Sequence, residues 1–181
     1  EIYTDVDGVY TADPRVVPDA RKLPEISYSE MLEMATLGAK VLHNRSVEMA
    51  KKYGVQLVVR SSLNANEGTV VKEAARMEKM IVSGVAADKD VARISVMGVA
   101  NEPGIAFKVF NSLAKKKINV DIILQSVGRG GTKDIAFTVA KGDVEGAVEV
   151  IKEDMQIFTA TGYEVEEGVA KVSIIGAGMT S

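Results

Sequence analysis

The sequence predicts an α/β segment, then an α+β unit in the ferredoxin-like order β-α-β-β-α-β, then the first strand of a second such unit. Three observations point there. Residues 1–72 alternate short apolar strands with amphipathic helices, the pattern of the last part of an α/β domain with a parallel sheet. From Arg93 onward the apolar periodicity runs strand, helix, strand, strand, helix, strand over about 75 residues. Finally, ARISVMGVA at 92–100 returns as AKVSIIGAG at 170–178, an offset of 78 residues. That offset matches one whole unit, although two short apolar strands can also coincide by chance.

Composition narrows the function classes. The chain has 181 residues, enough for one or two domains, with 46% apolar and 26% charged residues and a formal charge of −3. This balance offers no basic field for nucleic acid or an anionic membrane surface. No apolar run approaches the roughly 20 residues of a membrane-spanning helix. Cysteine is absent, which excludes disulfides and thiolate metal sites, and the lone His43 excludes a multi-histidine metal site within one chain. A reducing compartment is compatible with this usage. The chain opens on what reads as the tail of a strand, without an initiator Met, and closes on a strand entering a turn. Such ends predict a piece of a longer polypeptide.

Ile2 to Val6 is the first strand, followed by the turn Asp7-Gly8. Ligands of open α/β sheets sit beyond the carboxyl ends of strands, which places Asp5 well for one. Residues 13–27 carry Pro14, Pro18 and Pro24 and predict an extended surface loop. Ser27 and Glu30 form an S-x-x-E capping box that opens a helix through Met34. A second helix runs from about Arg45 to Tyr53, with Val47, Ala50 and Tyr53 near one face, and stops at Gly54. Val55 to Arg60 reads as a buried strand, and Glu67-Gly68 turns the chain into Thr69 to Val71. Residues 72–79 are charged and periodic, a linker or short helix, and Met80 to Ala86 is another strand.

In the second half, strand 93–99 leads into a helix over 102–116. Asn101 is its expected cap, Glu102 and Pro103 suit its first turn, and Ala106, Val109, Phe110 and Leu113 recur at helical spacing. Lys115, Lys116 and Lys117 stand at its C-terminus, where positive charge is favoured. Strand 120–127 turns through Gly128-Arg129-Gly130-Gly131 into strand 134–140. There Ile135, Phe137 and Val139 alternate with Asp134, Ala136 and Thr138. Asp143 is the expected cap of a helix whose apolar face is Val144, Ala147, Val148, Ile151 and Met155, and Tyr163 and Val165 begin the final strand.

The densest polar cluster holds Thr4, Asp5, Asp7, Gly8, Tyr10, Thr11, Asp13, Pro14 and Arg15. Tyr10 can line a base pocket, Arg15 can pair with phosphate, and Asp5 can accept hydrogen bonds from base or ribose. The same residue types also build ordinary turns. Neither a Walker lysine loop nor G-x-G-x-x-G occurs, so phosphate binding here is of neither type. Lys40, beside Gly38, can reach a phosphate or stand as a solvated surface lysine. The helix start at 101–104 offers unpaired N–H groups and partial positive charge for a carboxylate, or is a plain helix cap in a βαβ unit. Gln125 can bind an amine or hydroxyl or be an ordinary edge-strand glutamine. His43 reads as a hydrogen-bonded structural residue, and Met31, Met34 and Met49 as core filling.

Taken together, TDVDGVYTADPR at 4–15, GAKVLH at 38–43, VVRSSLNANEGTVV at 58–71, NEPGIAFKVF at 101–110 and NVDIILQSV at 119–127 resemble aspartate kinase. The resemblance covers essentially the whole chain, in that family's order. It implies that residues 1–72 are the C-terminal part of an amino-acid-kinase catalytic domain and that 73–91 are a linker and a strand contributed to the ACT region. Residues 92–168 are then the first ACT domain and 169–181 the truncated start of a second.

For the parent enzyme the resemblance implies ATP-dependent phosphorylation of L-aspartate to 4-phospho-L-aspartate, with Mg as counter-ion of the phosphates. This is the first step toward lysine, threonine and methionine, under feedback control by threonine and/or lysine. On the matching positions, Thr4, Asp5, Tyr10, Thr11, Ala12, Asp13, Pro14, Arg15 and Lys40 are expected to contact ATP. Asn101, Gly104 and Ala106 are expected to hold an effector's carboxylate, and Asn119, Val120, Asp121 and Gln125 its amine and side chain. Asn101 stands where many relatives carry Asp, which leaves effector identity open.

The family's phosphate loop and aspartate-binding residues are not among these 181. No catalytic residue and no metal site are therefore expected within the segment, and alone it is expected to be inactive. A cytoplasmic homodimer through ACT domains is the implied assembly, with no nucleic-acid or membrane partner. The alternative is a non-catalytic, beta-type regulatory subunit that binds threonine or lysine and a catalytic partner. A pure sensor has no use for a nucleotide loop at 4–15.

Overall fold

Short apolar runs separated by turn residues give the first of two units, Glu1–Asp88 with Val172–Ser181, a four-stranded sheet. The computed structural model describes residues 1–73, 82–126 and 131–176. The strands are β1 (Ile2–Thr4), β2 (Glu25–Ser27), β3 (Leu57–Ser61) and β4 (Thr69–Lys72), in the order β1-β3-β4-β2. β1 runs parallel to β3 and β2 parallel to β4, but β3 and β4 are antiparallel. The sheet is therefore mixed, where the sequence suggested a parallel one. Residues 62–68 between β3 and β4 are too few for a parallel crossover, which takes about a dozen or more. β2 lies inside the proline-marked stretch 13–27, and its three residues are too few to display an alternation.

Two helices, α1 (Tyr28–Thr36) and α2 (Asn44–Tyr53), complete this core. α1 opens on the expected capping box: the Glu30 N–H donates to Ser27 Oγ, and the Ser27 N–H donates to Glu30 Oε2, both at 3.2 Å. The cap of α2 is His43, whose Nδ1 accepts from the Arg45 N–H at 3.2 Å, and the helix ends at Gly54 with φ 63°. Tyr28, Met31, Met34, Val47 and Ala50 pack with Ile26, Val59 and Val71. Tyr53, expected on the buried face of α2, is 65% exposed. β5 (Gly84–Asp88) pairs with β10 (Lys171–Ile175), and their Ala86 and Ile175 join the same core. Met80 and Ile81 of the expected strand 80–86, residues 74–79 of the charged stretch, and Ala177-Gly178 of the repeat lie outside the described residues.

The second unit, Lys89–Lys171, realises the β-α-β-β-α-β order. It runs β6 (Val91–Ala100), α3 (Ile105–Lys115), β7 (Ile123–Gln125), β8 (Thr132–Ala140), a 3-10 turn (Lys141–Asp143), α4 (Val144–Asp154) and β9 (Gly162–Glu166). The antiparallel sheet has the order β7-β8-β6-β9. Ile135, Phe137 and Val139 point inward as the alternation predicts, and Phe110 meets Phe137 edge to face at 5.7 Å. On α4 the buried residues are Ala147, Val150 and Ile151.

Three local expectations need correction here. α3 begins at Ile105 rather than 102, and the residue before it is Gly104 at φ 87°, with no side-chain cap. Pro103 disfavours helical backbone at Glu102, which delays the helix. Asn101 instead belongs to the strand end, its N–H donating to the Gly131 carbonyl at 3.0 Å. Asp143 stands before α4 but makes no side-chain cap bond, because the preceding 3-10 turn already gives it helical backbone. β7 is confined to Ile123–Gln125 of the expected 120–127; Val127 and the turn residues Gly128, Arg129 and Gly130 lie outside the described residues.

Candidate functional site

The parallel pairing of β1 with β3 sets Thr4 beside Ser61, so both strands deliver their carboxyl ends to one edge. Ser62 continues β3 there, donating to the Thr4 carbonyl through its N–H at 2.8 Å and its hydroxyl at 3.1 Å. This is the edge at which open α/β sheets bind ligands. Thr4 Oγ1 donates to Asp5 Oδ1 at 3.0 Å, holding an exposed carboxylate at the mouth of the loop.

From there the loop is organised by Asp7. Its carboxylate accepts from Tyr10 OH at 2.8 Å, from Asn66 Nδ2 at 3.3 Å and from Lys22 Nζ at 3.4 Å. The Tyr10 hydrogen bond leads, Asn66 and Lys22 add to it against the opposing effect of burial, and the Asp7 carboxyl is held below its ordinary range. By the same bond the Tyr10 phenol is pushed up. Lys22 also donates to the Glu67 carbonyl at 2.7 Å, and the Tyr10–Lys22 bridge draws the loop's two arms together. Tyr10 thus presents a half-buried ring with its hydroxyl already engaged.

Thr11 is pinned by its N–H to the Arg21 carbonyl at 2.9 Å, and its Oγ1 accepts from the Arg21 N–H at 3.0 Å. Ala12 follows it, half-buried. Beyond the exposed Pro14, Arg15 grips Asp13 with Nε at 3.0 Å and a terminal nitrogen at 2.9 Å. Arg15's side chain is 84% exposed, so a phosphate can replace Asp13 at little cost. Lys40 lies exposed between α1 and α2; among the described residues no hydrogen bond or ion pair links it to 4–15. The structure joins Thr4, Asp5, Tyr10, Thr11 and Arg15 in one loop, and Lys40 stands outside that loop with an exposed side chain. Sequence reasoning gave no role to Lys22, Ser62 and Asn66; Ser62 and Asn66 lie in the stretch 58–71, which only the folded sheet brings to the loop.

In the second unit, Gly104 brings no side chain to the start of α3, and its φ of 87° is one that glycine adopts without strain. At the first turn the Ile105 N–H donates to the Glu102 carbonyl at 3.4 Å and the Lys108 N–H to the Gly104 carbonyl at 3.1 Å, whereas those of Ala106 and Phe107 have no carbonyl a turn earlier in the helix. Asn101 and Gly104 are exposed beside them. Of the other expected contacts, Val120 packs against the unit's core and Asn119 is exposed. The Asp121 N–H donates to the Thr138 carbonyl at 3.1 Å, and its carboxylate pairs with Lys171. Gln125 Oε1 accepts from Lys133 Nζ at 3.3 Å. Asp121 and Gln125 are thus both engaged by lysine ammonium groups, the chemistry an effector amine would bring.

Among the described residues no group of His, Cys, Asp or Glu is placed to hold a metal ion, and no helix is long and apolar enough to cross a membrane. The amino acid kinase family model matches residues 1–61 and an ACT domain model matches 94–155. An aspartokinase of Helicobacter pylori is 50% identical over 186 residues, an alignment covering 100% of this chain and 45% of the relative. The crystal structure of E. coli aspartokinase III in complex with aspartate and ADP is 30% identical, with a TM-score of 0.80, over 98% of this chain and 40% of that one. Its complex with lysine and aspartate is also 30% identical, with a TM-score of 0.75, over 99% and 40%. The chain spans less than half the length of these relatives. Over its whole length it matches the C-terminal part of aspartokinases, and it carries the end of an amino-acid-kinase domain followed by an ACT domain.

Proposed function

We propose that this chain is the part of an aspartate kinase that completes the ATP site and senses the end-product amino acid. The reaction of the whole enzyme is transfer of the γ-phosphoryl group of ATP to the β-carboxylate of L-aspartate. The observation that carries the reading is the loop 4–15 at the shared carboxyl edge of β1 and β3, in a chain half-identical to an aspartokinase. Thr4 and Asp5 meet the nucleoside, Tyr10 lines the base, the turn from Thr11 to Pro14 shapes the loop, and Arg15 and Lys40 meet phosphate. Mg bound with ATP would supply charge neutralisation at the phosphates, which Arg15 and Lys40 would meet from this chain. Aspartate and the phosphate loop are handled by residues outside this chain, so the segment alone does not turn over.

On the regulatory side the α-carboxylate of lysine or threonine sits on the first-turn N–H groups of α3 beside Asn101, Gly104 and Ala106. Asn119, Val120, Asp121 and Gln125 receive its amine and side chain. Support comes from the lysine and ADP complexes of the E. coli relative. The exposed edge strand β7, with Ile123 47% and Leu124 58% exposed, is the surface through which two ACT domains join in a homodimer. A cytoplasmic setting suits a chain without cysteine.

The test is initial-rate kinetics of the full-length protein. Arg15→Ala and Tyr10→Ala should each raise KM for ATP about tenfold while KM for aspartate stays within about twofold. Equal rises in both constants would contradict the assignment of loop 4–15 to the nucleotide.

A further inference from the structure

β5 and β10 lie outside both family matches, yet β5 and β10 from Val172 onward fold with the nucleotide loop's own unit. The Val85 N–H donates to the Thr11 carbonyl at 2.7 Å, in the middle of the loop. Ser83, 1% exposed, donates through its hydroxyl to Glu30 of the α1 capping box, while its N–H reaches the Ile175 carbonyl of β10 at 2.8 Å. Burial pushes the Glu30 carboxyl up, but hydrogen bonds from Ser27 and Ser83 outweigh it and leave the group below its ordinary range. Glu30 is thus a charged acceptor at neutral pH, and bonds to such acceptors are the stronger ones. Between these anchors, Gly84 lies so close to α1 that an added Cβ would collide with Met34 Cε and meet the Thr11 carbonyl oxygen at 3.1 Å.

We propose that β5 is a positioning strand for the nucleotide loop. Ser83 and Gly84 seat it on α1, and the Val85 N–H fixes the Thr11 carbonyl so that Tyr10 and Arg15 are presented in one arrangement. The proposal rests on the assignment of residues 4–15 to ATP. Thr11 is then held from two sides, by Arg21 within the loop and by Val85 from the strand. A loop ordered beforehand lowers the entropy cost of binding, so the contribution falls on ATP affinity. Because β10 holds Ser83 in turn, a shift of β10 reaches the nucleotide loop without any contact to aspartate.

Steady-state kinetics of the full-length protein, varying ATP and aspartate separately, test this. Ser83→Ala, which removes the bond to Glu30, and Val85→Pro, which removes the N–H, should each raise KM for ATP about five- to tenfold. Both kcat and KM for aspartate should stay within about twofold. Glu30→Gln keeps one oxygen for Ser83 but loses the charge and the second acceptor that serves the Ser27 N–H, so it should raise KM for ATP less than Glu30→Ala, which should follow Ser83→Ala. If Val85→Pro does not fold, Ser83→Ala and the Glu30 pair decide the matter. An unchanged KM for ATP in folded Ser83→Ala and Glu30→Ala, with Tyr10→Ala still raising it, overturns the role of β5. If Tyr10→Ala and Arg15→Ala also leave it unchanged, the nucleotide assignment falls and takes this proposal with it.

Discussion

Asp7 gathers three donors from well-separated parts of the first unit, Tyr10, Lys22 and Asn66. Asp7→Ala takes the acceptor from the Tyr10 hydroxyl and the Asn66 amide, leaves Lys22 with the Glu67 carbonyl alone, and should destabilise the fold by about 2 kcal/mol. Asp7→Asn, which still accepts from Tyr10, should cost less. The pH dependence has a definite sign. Asp7's carboxyl is lowered in the folded state, so its contribution is full above the unfolded pKa and is lost as pH falls through the folded one. Urea titrations from neutral pH down to about pH 3 should therefore show the gap between wild type and Asp7→Ala closing in acid. A gap that widened there would contradict this role. None of the network was legible in the sequence: Lys22 is 15 and Asn66 59 residues from Asp7, and only the folded sheet brings them together.

At the scale of the element, the start of α3 separates two explanations of one motif. Asn101 looked like the cap, but Gly104 occupies that position at φ 87° and offers no side chain. Gly104→Ala should thus cost about 1 kcal/mol through left-handed strain, while Asn101→Ala should leave stability within about 0.5 kcal/mol. Thermal denaturation of the two variants checks this, and a larger loss from Asn101→Ala would restore it as the cap. Periodic elements were the legible ones: the capping box of α1, the alternation of β8 and the βαββαβ order each follow from spacing alone. β2 and the antiparallel β3–β4 pair were not. The first is too short for a pattern, and the second shows only in the shortness of the link 62–68, which residue periodicity does not report.

For the whole molecule, legibility fell off where the chain returns on itself. The repeat at 170–178 marked β10 as a strand, but nothing in its residues says that it pairs with β5 or that Ile175 enters the first unit's core. Its Val172 and Ile174 remain 65% and 55% exposed. The proposed dimer through the β7 edge carries its own prediction. Leu124→Lys, on that exposed edge, should raise the dimer dissociation constant roughly tenfold, read by sedimentation against concentration. An unchanged constant would place the interface elsewhere.

The most direct measurement of the central claim is phosphoryl transfer to aspartate by the full-length protein, followed at rising lysine or threonine and compared with this 181-residue chain alone. ATP- and aspartate-dependent turnover should fall as one of these amino acids is added, and the segment by itself should show none. Turnover by the isolated segment, or a full-length protein that transfers no phosphoryl group to aspartate, would contradict it.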